Sequence, residues 1–316
     1  MNESVLTLTN VTKRYGDFTA VDQINLSIPQ GSVYGFLGPN GAGKTTTIRM
    51  ILDIIRPDEG EIQVLGRPSA MQVRDRIGYL PEEKGLYKKM KVWSIISYFA
   101  TLKGMNRHDA RRRAFSLLEQ YGLKDFANAN IESLSKGMGQ KVQVLASIAH
   151  DPELVILDEP FSGLDPVNQE VLEQLIRDLA SNGRTVIFST HIMQHAERLC
   201  ERLLLITQGR KVFDGTVEEA HAIIPRRVVL ETSGDIQSVR DLDGVLSVQE
   251  QVAEDTGNSG TRLWELYVKE HTDPQLILKH CFENGVSLSR FDFTQTSLHD
   301  VFVHLVGKEA REHNFR

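Results

Sequence analysis

The sequence predicts an α/β fold built on a buried parallel sheet, followed by a smaller α+β domain. Three observations carry this reading. A Gly-rich turn separates a short apolar run, Ser32 to Leu37, from a helix-like stretch that begins at Lys44. Further apolar runs, Leu154 to Leu157, Thr185 to Phe188 and Leu203 to Ile206, lack alternation, as strands covered on both faces do, and helix-like segments separate them. Beyond about Val217 the order changes to β-α-β-β-α-β.

From Val5 to Ile28, β-rich runs broken by Tyr15-Gly16 and Pro29 open the first domain with strands and turns. Lys44 to Ile55 reads as a helix closed by Pro57. Val92 to Gly122 is helical in pattern throughout and reads as an inserted helical subdomain that includes the basic stretch Arg107 to Arg113. In the last third, Arg226 to Glu231 is β-like, Asp235 to Leu242 helix-like and Val245 to Val252 β-like. After a loop from Glu254 to Gly260 come β-like Arg262 to Val268, helix-like Pro274 to Glu283, β-like Ser287 to Phe293 and a final helix from Ser297. This order matches a ferredoxin-like unit. The expected domains are residues 1–216 and 217–316.

Composition narrows the function. With 316 residues, 41% of them hydrophobic and 25% charged, the chain is long enough for two cores. A formal net charge of -6 disfavours a nucleic-acid partner. The two cysteines, Cys200 and Cys281, have neither C-x-x-C spacing nor a disulfide pattern, which suits a reducing compartment. Met1 to Thr9 does not read as a secretory signal, and Val92 to Leu102 falls short of the about 20 apolar residues of a spanning helix. The expected location is cytoplasmic; any membrane crossing belongs to another chain.

Gly38-Pro39-Asn40-Gly41-Ala42-Gly43-Lys44-Thr45 fits G-x-x-x-x-G-K-[ST], between the strand and the helix that a P-loop requires. The glycines let backbone N–H groups face phosphate oxygens, and the helix start adds positive potential. Lys44 suits the β and γ phosphates of ATP, Thr45 offers a hydroxyl to Mg²⁺, and Thr46 completes the nucleotide-binding set. Asp158 and Glu159 leave the run Leu154 to Leu157 at its C-terminal end, where ligands bind in such sheets. Asp158 suits a metal-linked role, and Glu159 polarisation of the water that attacks the γ phosphate. An acidic cap before the next helix is the competing reading, and it accounts for one acid only.

Leu134-Ser135-Lys136-Gly137-Met138-Gly139-Gln140 resembles the signature of ABC ATPases, usually L-S-G-G-Q. Ser162-Gly163-Leu164-Asp165 and Ser189-Thr190-His191 follow in the family's order. The resemblance implies an ABC-type nucleotide-binding domain with an antiparallel β subdomain and a helical subdomain, acting as a head-to-tail dimer that hydrolyses ATP for a membrane-spanning permease subunit. The second ATPase subunit is an identical copy or a sister cassette, and the protein sits peripherally on the cytoplasmic face of the membrane. Ser135 and Gly137 would then meet the γ phosphate held by the other copy, and Asp165 would couple the halves. His191 would bond the γ phosphate and hold Glu159 and the water, making Glu159, His191 and Lys44 the catalytic set. His195 reads as a bystander. Tyr15 matches the aromatic that stacks on adenine, with a plain turn tyrosine as the alternative.

The sequence departs from that pattern in three places. Glu82, in Gly78-Tyr79-Leu80-Pro81-Glu82, stands where the family usually has a metal-contacting glutamine, and Lys136 and Met138 replace a signature glycine and glutamine. With Glu83-Lys84-Gly85-Leu86-Tyr87 and the ending Ser297-Leu298-His299-Asp300-Val301-Phe302, these features are similar to ATP-binding subunits of ABC-2-type exporters, the sodium and drug exporter group. Tyr87, Trp93, Tyr98 and Phe99 either shape a groove for the membrane subunit or form subdomain core. Arg107, Arg111, Arg112 and Arg113 read as a solvated helix face, with lipid headgroups or nucleic acid as alternatives. The rival function is a soluble ABC ATPase that remodels ribosomes or nucleic acid; a single cassette without a heptad run weighs against it.

Overall fold

A computed structural model describes residues 4–83, 85–251, 262–269, 272–294 and 296–313. The chain divides into two compact units, Met1–Val217 and Glu218–Arg316. In the first unit the order is β1 (Ser4–Tyr15), β2 (Phe18–Pro29), β3 (Val33–Leu37), α1 (Lys44–Ile51), β4 (Glu59–Val64), β5 (Ile77–Leu80), α2 (Val92–Leu102), α3 (Arg107–Gln120), α4 (Lys136–Ile148), β6 (Leu154–Leu157), α5 (Pro166–Ser181), β7 (Thr185–Thr190), α6 (Met193–Leu199), β8 (Arg202–Thr207) and β9 (Arg210–Thr216).

The main sheet has the order β5-β6-β7-β3-β8-β9 and is parallel except for β9. Every residue of β3, β6 and β7 is buried, which is why these runs carry no alternation. In register, Leu37 lies opposite Thr190 and Leu157 opposite Phe188, so the chain leaves three adjacent strands at one edge with Gly38, Asp158 and His191. That edge is where a parallel sheet opens a crevice for ligands. A second, antiparallel sheet has the order β2-β1-β4.

Two helical expectations need correction. The helix from Lys44 stops at Ile51 rather than Ile55, because Asp53 turns to φ 56°, a left-handed conformation that ends a helix before Pro57 is reached. The stretch from Val92 is not helical throughout. Gly104 at φ 100° breaks it, and the Asn106 side chain accepts from the Asp109 N–H at 2.9 Å to start α3. Ile95, Ile96 and Ala100 of α2, Ala110, Ala114 and Leu118 of α3, and Val142 and Leu145 of α4 share one buried cluster.

The chain continues through α7 (Val217–His221), which begins on the last residue of the first unit, to β10 (Arg226–Thr232), α8 (Gln237–Arg240), β11 (Val245–Gln251), β12 (Arg262–Val268), α9 (Pro274–Glu283), β13 (Leu288–Thr294) and α10 (Leu298–His313) of the second unit. Its sheet is antiparallel with the order β11-β12-β10-β13, the ferredoxin-like arrangement. Val228, Leu230 and Leu266 pack with Ile277 and Cys281 of α9 in a core of its own. The expected loop Glu254 to Gly260 lies outside the described residues. Among the described residues no helix is long and apolar enough to cross a membrane.

Candidate active site

The loop from Gly38 to Gly43 is shaped by close backbone approach. A Cβ on Gly38 would stand 2.1 Å from the Ile206 carbonyl oxygen of β8, and one on Gly43, at φ 105°, 2.5 Å from the Ala20 carbonyl oxygen of β2. Between them the Ala42 N–H donates to the Pro39 carbonyl at 3.2 Å, while Asn40 and Gly41 stay exposed. Lys44, 6% exposed, donates from Nζ to the Gly38 carbonyl at 2.7 Å and the Pro39 carbonyl at 3.1 Å. Thr46, next to Thr45 in α1, is half-buried.

Two acids from the end of β6 close the same space. The Thr45 hydroxyl donates to Asp158 Oδ1 at 3.3 Å. Ser189 of β7 clasps both acids: its hydroxyl donates to Asp158 Oδ1 at 2.5 Å and accepts from the Glu159 N–H at 2.9 Å. Glu159 adopts φ 47°, a left-handed conformation that costs a non-glycine residue about 1–2 kcal/mol. Its Oε1 lies 3.6 Å from Lys44 Nζ, and its Oε2 accepts from His191 Nδ1 at 3.0 Å. Asp158 Oδ2 and Glu159 Oε1 are buried without a hydrogen-bond partner, which leaves two carboxylate oxygens with unused capacity to accept.

Lys44, Thr45, Asp158, Glu159 and His191 thus converge. Five predicted residues lie outside this cluster and its loop: Ser135, Gly137, Asp165, Glu82 and Tyr15. Ser135 caps α4 by accepting from the Met138 N–H at 3.3 Å, and a Cβ on Gly137 would reach 2.4 Å from Asn168 Nδ2. Asp165 caps α5, accepting from the Asn168 N–H at 3.0 Å, a bond that holds its carboxyl below the usual range. Glu82 is exposed on the loop after β5. It acts with Asp158 on the Tyr79 phenol, which burial, foremost, and these carboxylates push up to about 12. Tyr15 is 52% exposed, with Lys13 Nζ 5.6 Å from its ring centroid.

The aromatic stretch divides between both readings. Trp93 stacks on Phe115 at 5.8 Å and Phe99 packs on the helical core, whereas Tyr87 and Tyr98 are exposed and meet edge-on at 6.1 Å. The arginine face is not simply solvated. The Arg111 guanidinium covers the Trp93 ring at 4.8 Å and Arg112 pairs with Asp109 at 2.7 Å.

Comparison with known proteins decides the family. Residues 21–162 match the ABC transporter family, and residues 215–306 match the C-terminal domain of ATP-binding proteins described as DrrA1-3-like. The chain is 40% identical over 304 residues to the ABC transporter ATP-binding protein YhaQ of Bacillus subtilis (strain 168), covering 96% of this chain and 99% of that one. It belongs to the ABC transporter ATP-binding proteins. The cassette is also 35% identical over 315 residues to the Nod factor export ATP-binding protein I of Cupriavidus pinatubonensis, covering 98% of this chain and 93% of the relative. Among solved structures it resembles a dimeric ATP-binding cassette in a post-hydrolysis state bound to ADP and Pi, with a TM-score of 0.62, 26% identity and coverage of 67% of this chain and 98% of the other. This cassette is an ATPase subunit of a transporter, which sets aside ribosome or nucleic-acid remodelling. Such subunits dimerise and work with membrane permease subunits.

Proposed function

We propose that this chain drives an ABC-2-type exporter, closing with a second ATPase subunit around two ATP molecules at the cytoplasmic face of the membrane and moving a permease subunit. The observation that carries the mechanism is the convergence of Lys44, Thr45, Asp158, Glu159 and His191 at the ends of β3, β6 and β7. Full-length likeness to a Nod factor export protein supports export as the direction.

The loop N–H groups of Gly41, Ala42, Gly43, Lys44, Thr45 and Thr46 bind the phosphates, and Lys44 turns from the Gly38 and Pro39 carbonyls to the β and γ oxygens. The Thr45 hydroxyl and the unpartnered Asp158 Oδ2 are hard oxygen donors that fit Mg²⁺, and Glu82, exposed on the loop after β5, would add a carboxylate oxygen as a third. Bound there, Mg²⁺ would spread the charge on the β and γ phosphates. Glu159 accepts the proton of the attacking water as the new P–O bond forms and the bond to the β phosphate breaks, leaving ADP and phosphate. His191 holds the Glu159 carboxylate in place and reaches the γ phosphate with its other edge.

Tyr15 stacks on adenine. Ser135 and Gly137 of the second copy add hydroxyl and N–H donors at the γ phosphate, and Asp165 links the two halves. Exposed Tyr87 and Tyr98, with Leu102 63% exposed, form the surface for a cytoplasmic helix of the permease. A Tyr98→Cys chain bearing a photocrosslinker, returned to its native membranes, should capture a multi-span membrane protein. Capture of soluble proteins alone would contradict the assignment.

A further inference from the structure

Behind Glu159 lies a buried stack that the proposed chemistry does not use. Phe161, 2% exposed, meets two rings: Phe188 of β7 edge-on at 5.8 Å, and His195 of α6 face to face, with 4.1 Å between centroids and 14° between planes. His195 is itself buried, and its Nδ1 stands 3.5 Å from Glu173 Oε1 of α5. Glu173, 4% exposed, is also paired with Arg177 at 3.2 Å and Arg198 at 3.7 Å, so its charge stays compensated whatever residue occupies position 195.

The row runs from α5 through α6 to the turn that begins at Glu159. That turn is strained at Glu159 and is held by four hydrogen bonds of its backbone: the Ser162 N–H donates to the Glu159 carbonyl at 3.1 Å, the Leu164 N–H to the Phe161 carbonyl at 3.2 Å, Gln140 Nε2 to the Pro160 carbonyl at 3.2 Å, and the Glu159 N–H to Ser189. A left-handed glutamate persists only where its surroundings over-determine it. Phe161 is the turn's one large buried side chain, and the flat face of His195 is its closest ring contact.

We infer that His195 is a positioning residue for hydrolysis: stacked on Phe161 and anchored by Glu173, it holds the Glu159–Phe161 turn so that the Glu159 carboxylate stays between Lys44 and His191. The inference rests on Glu159 as the proton acceptor. What the stack requires is a planar ring at position 195, because Glu173 keeps its arginine partners without the imidazole.

Phosphate release, counted per nucleotide-binding site, and ATP binding are compared for the full-length parent, His195→Ala, His195→Phe and Glu159→Gln. His195→Ala should lower kcat about 10- to 100-fold, the scale of a catalytic group displaced by about an ångström, while KM for ATP stays within about twofold. His195→Phe restores the ring and should recover most of kcat. An unchanged kcat in His195→Ala, equal losses in the two variants, or a KM that rises in step with the loss would overturn the positioning role. Turnover that survives in Glu159→Gln would overturn the assignment beneath it as well. Loss in Glu159→Gln beside an intact His195→Ala removes the positioning role alone.

Discussion

Ser189 shows how much one hydroxyl does here. It joins the two acids that follow β6, donating to Asp158 and accepting from the Glu159 N–H. Ser189→Ala leaves the buried Glu159 N–H without its partner, at about 1–3 kcal/mol before relaxation, and Asp158 Oδ1 with the Thr45 hydroxyl alone. Thermal unfolding should register the lost stability, and phosphate release should fall about tenfold or more; a variant matching the parent in both would remove Ser189 from the site. Glu82 makes a different prediction. Two like charges about 4 Å apart at an effective dielectric of 20 repel by about 4 kcal/mol, so a carboxylate beside nucleotide phosphate depends on the metal between them. Glu82→Gln should keep more of its maximal activity at low Mg²⁺ than the parent does, and superimposable Mg²⁺ titrations would contradict this. Lys44, Thr45, Asp158 and Glu159 could be read in the sequence because each sits at a fixed offset from a strand end. Ser189 and His195 could not be read as site residues, because their roles depend on which strands and helices lie side by side. Asp158 is 31 positions from Ser189 and is brought to it only by the pairing of β6 with β7.

At the scale of elements, two helix starts carry predicted residues: Ser135 caps α4 and Asp165 caps α5. Asp165 accepts from the Asn168 N–H, and Pro166 follows at the first turn of α5. Asp165→Ala should cost about 1 kcal/mol of stability, read as a lowered melting temperature, in addition to any effect on turnover. Gly163, at φ 68°, has Lys136 laid against it: a Cβ there would come within 1.9 Å of Lys136 Nζ. Gly163→Ala therefore meets both a backbone penalty and a displaced lysine, and it should reduce turnover more than it reduces ATP affinity. The wholly apolar strands and the Gly-rich loop were legible because burial on both faces and phosphate binding each leave a pattern in neighbouring residues. The end of α1 at Asp53 and the break at Gly104 were missed, since single left-handed residues leave no periodic trace and Pro57 looked like the stop. β4 lacked signal for a related reason: Glu59–Val64 is largely exposed, with Val64 its one fully buried residue.

On the scale of the whole molecule, two clusters of buried residues lie in the first unit and another in the second, so each unit carries its own core. A fragment of residues 1–217 should unfold cooperatively and bind ATP when made alone; an aggregated fragment would show that the units depend on one another. Stability should also vary with pH through His150. Burial, with Lys103 nearby, lowers its pKa from 6.5 to about 4, and its Nε2 is 3.1 Å from the Ile77 carbonyl oxygen. Between those values the unfolded chain binds the proton that the folded chain refuses, so stability rises with pH through that window and is lost as pH falls from 6.5 towards about 4. His150→Gln should flatten that part of the profile, and an unchanged slope would assign the dependence to other groups. In the assembled pair proposed above, Glu159 would drive the hydrolysis that reopens a dimer closed by ATP. Light scattering on parent and Glu159→Gln in Mg-ATP, with phosphate release followed in the same samples, tests it most directly. Glu159→Gln should form a stable, silent dimer while the parent turns over and returns to monomer; a Glu159→Gln variant that still releases phosphate at the parent's rate would contradict the role of Glu159.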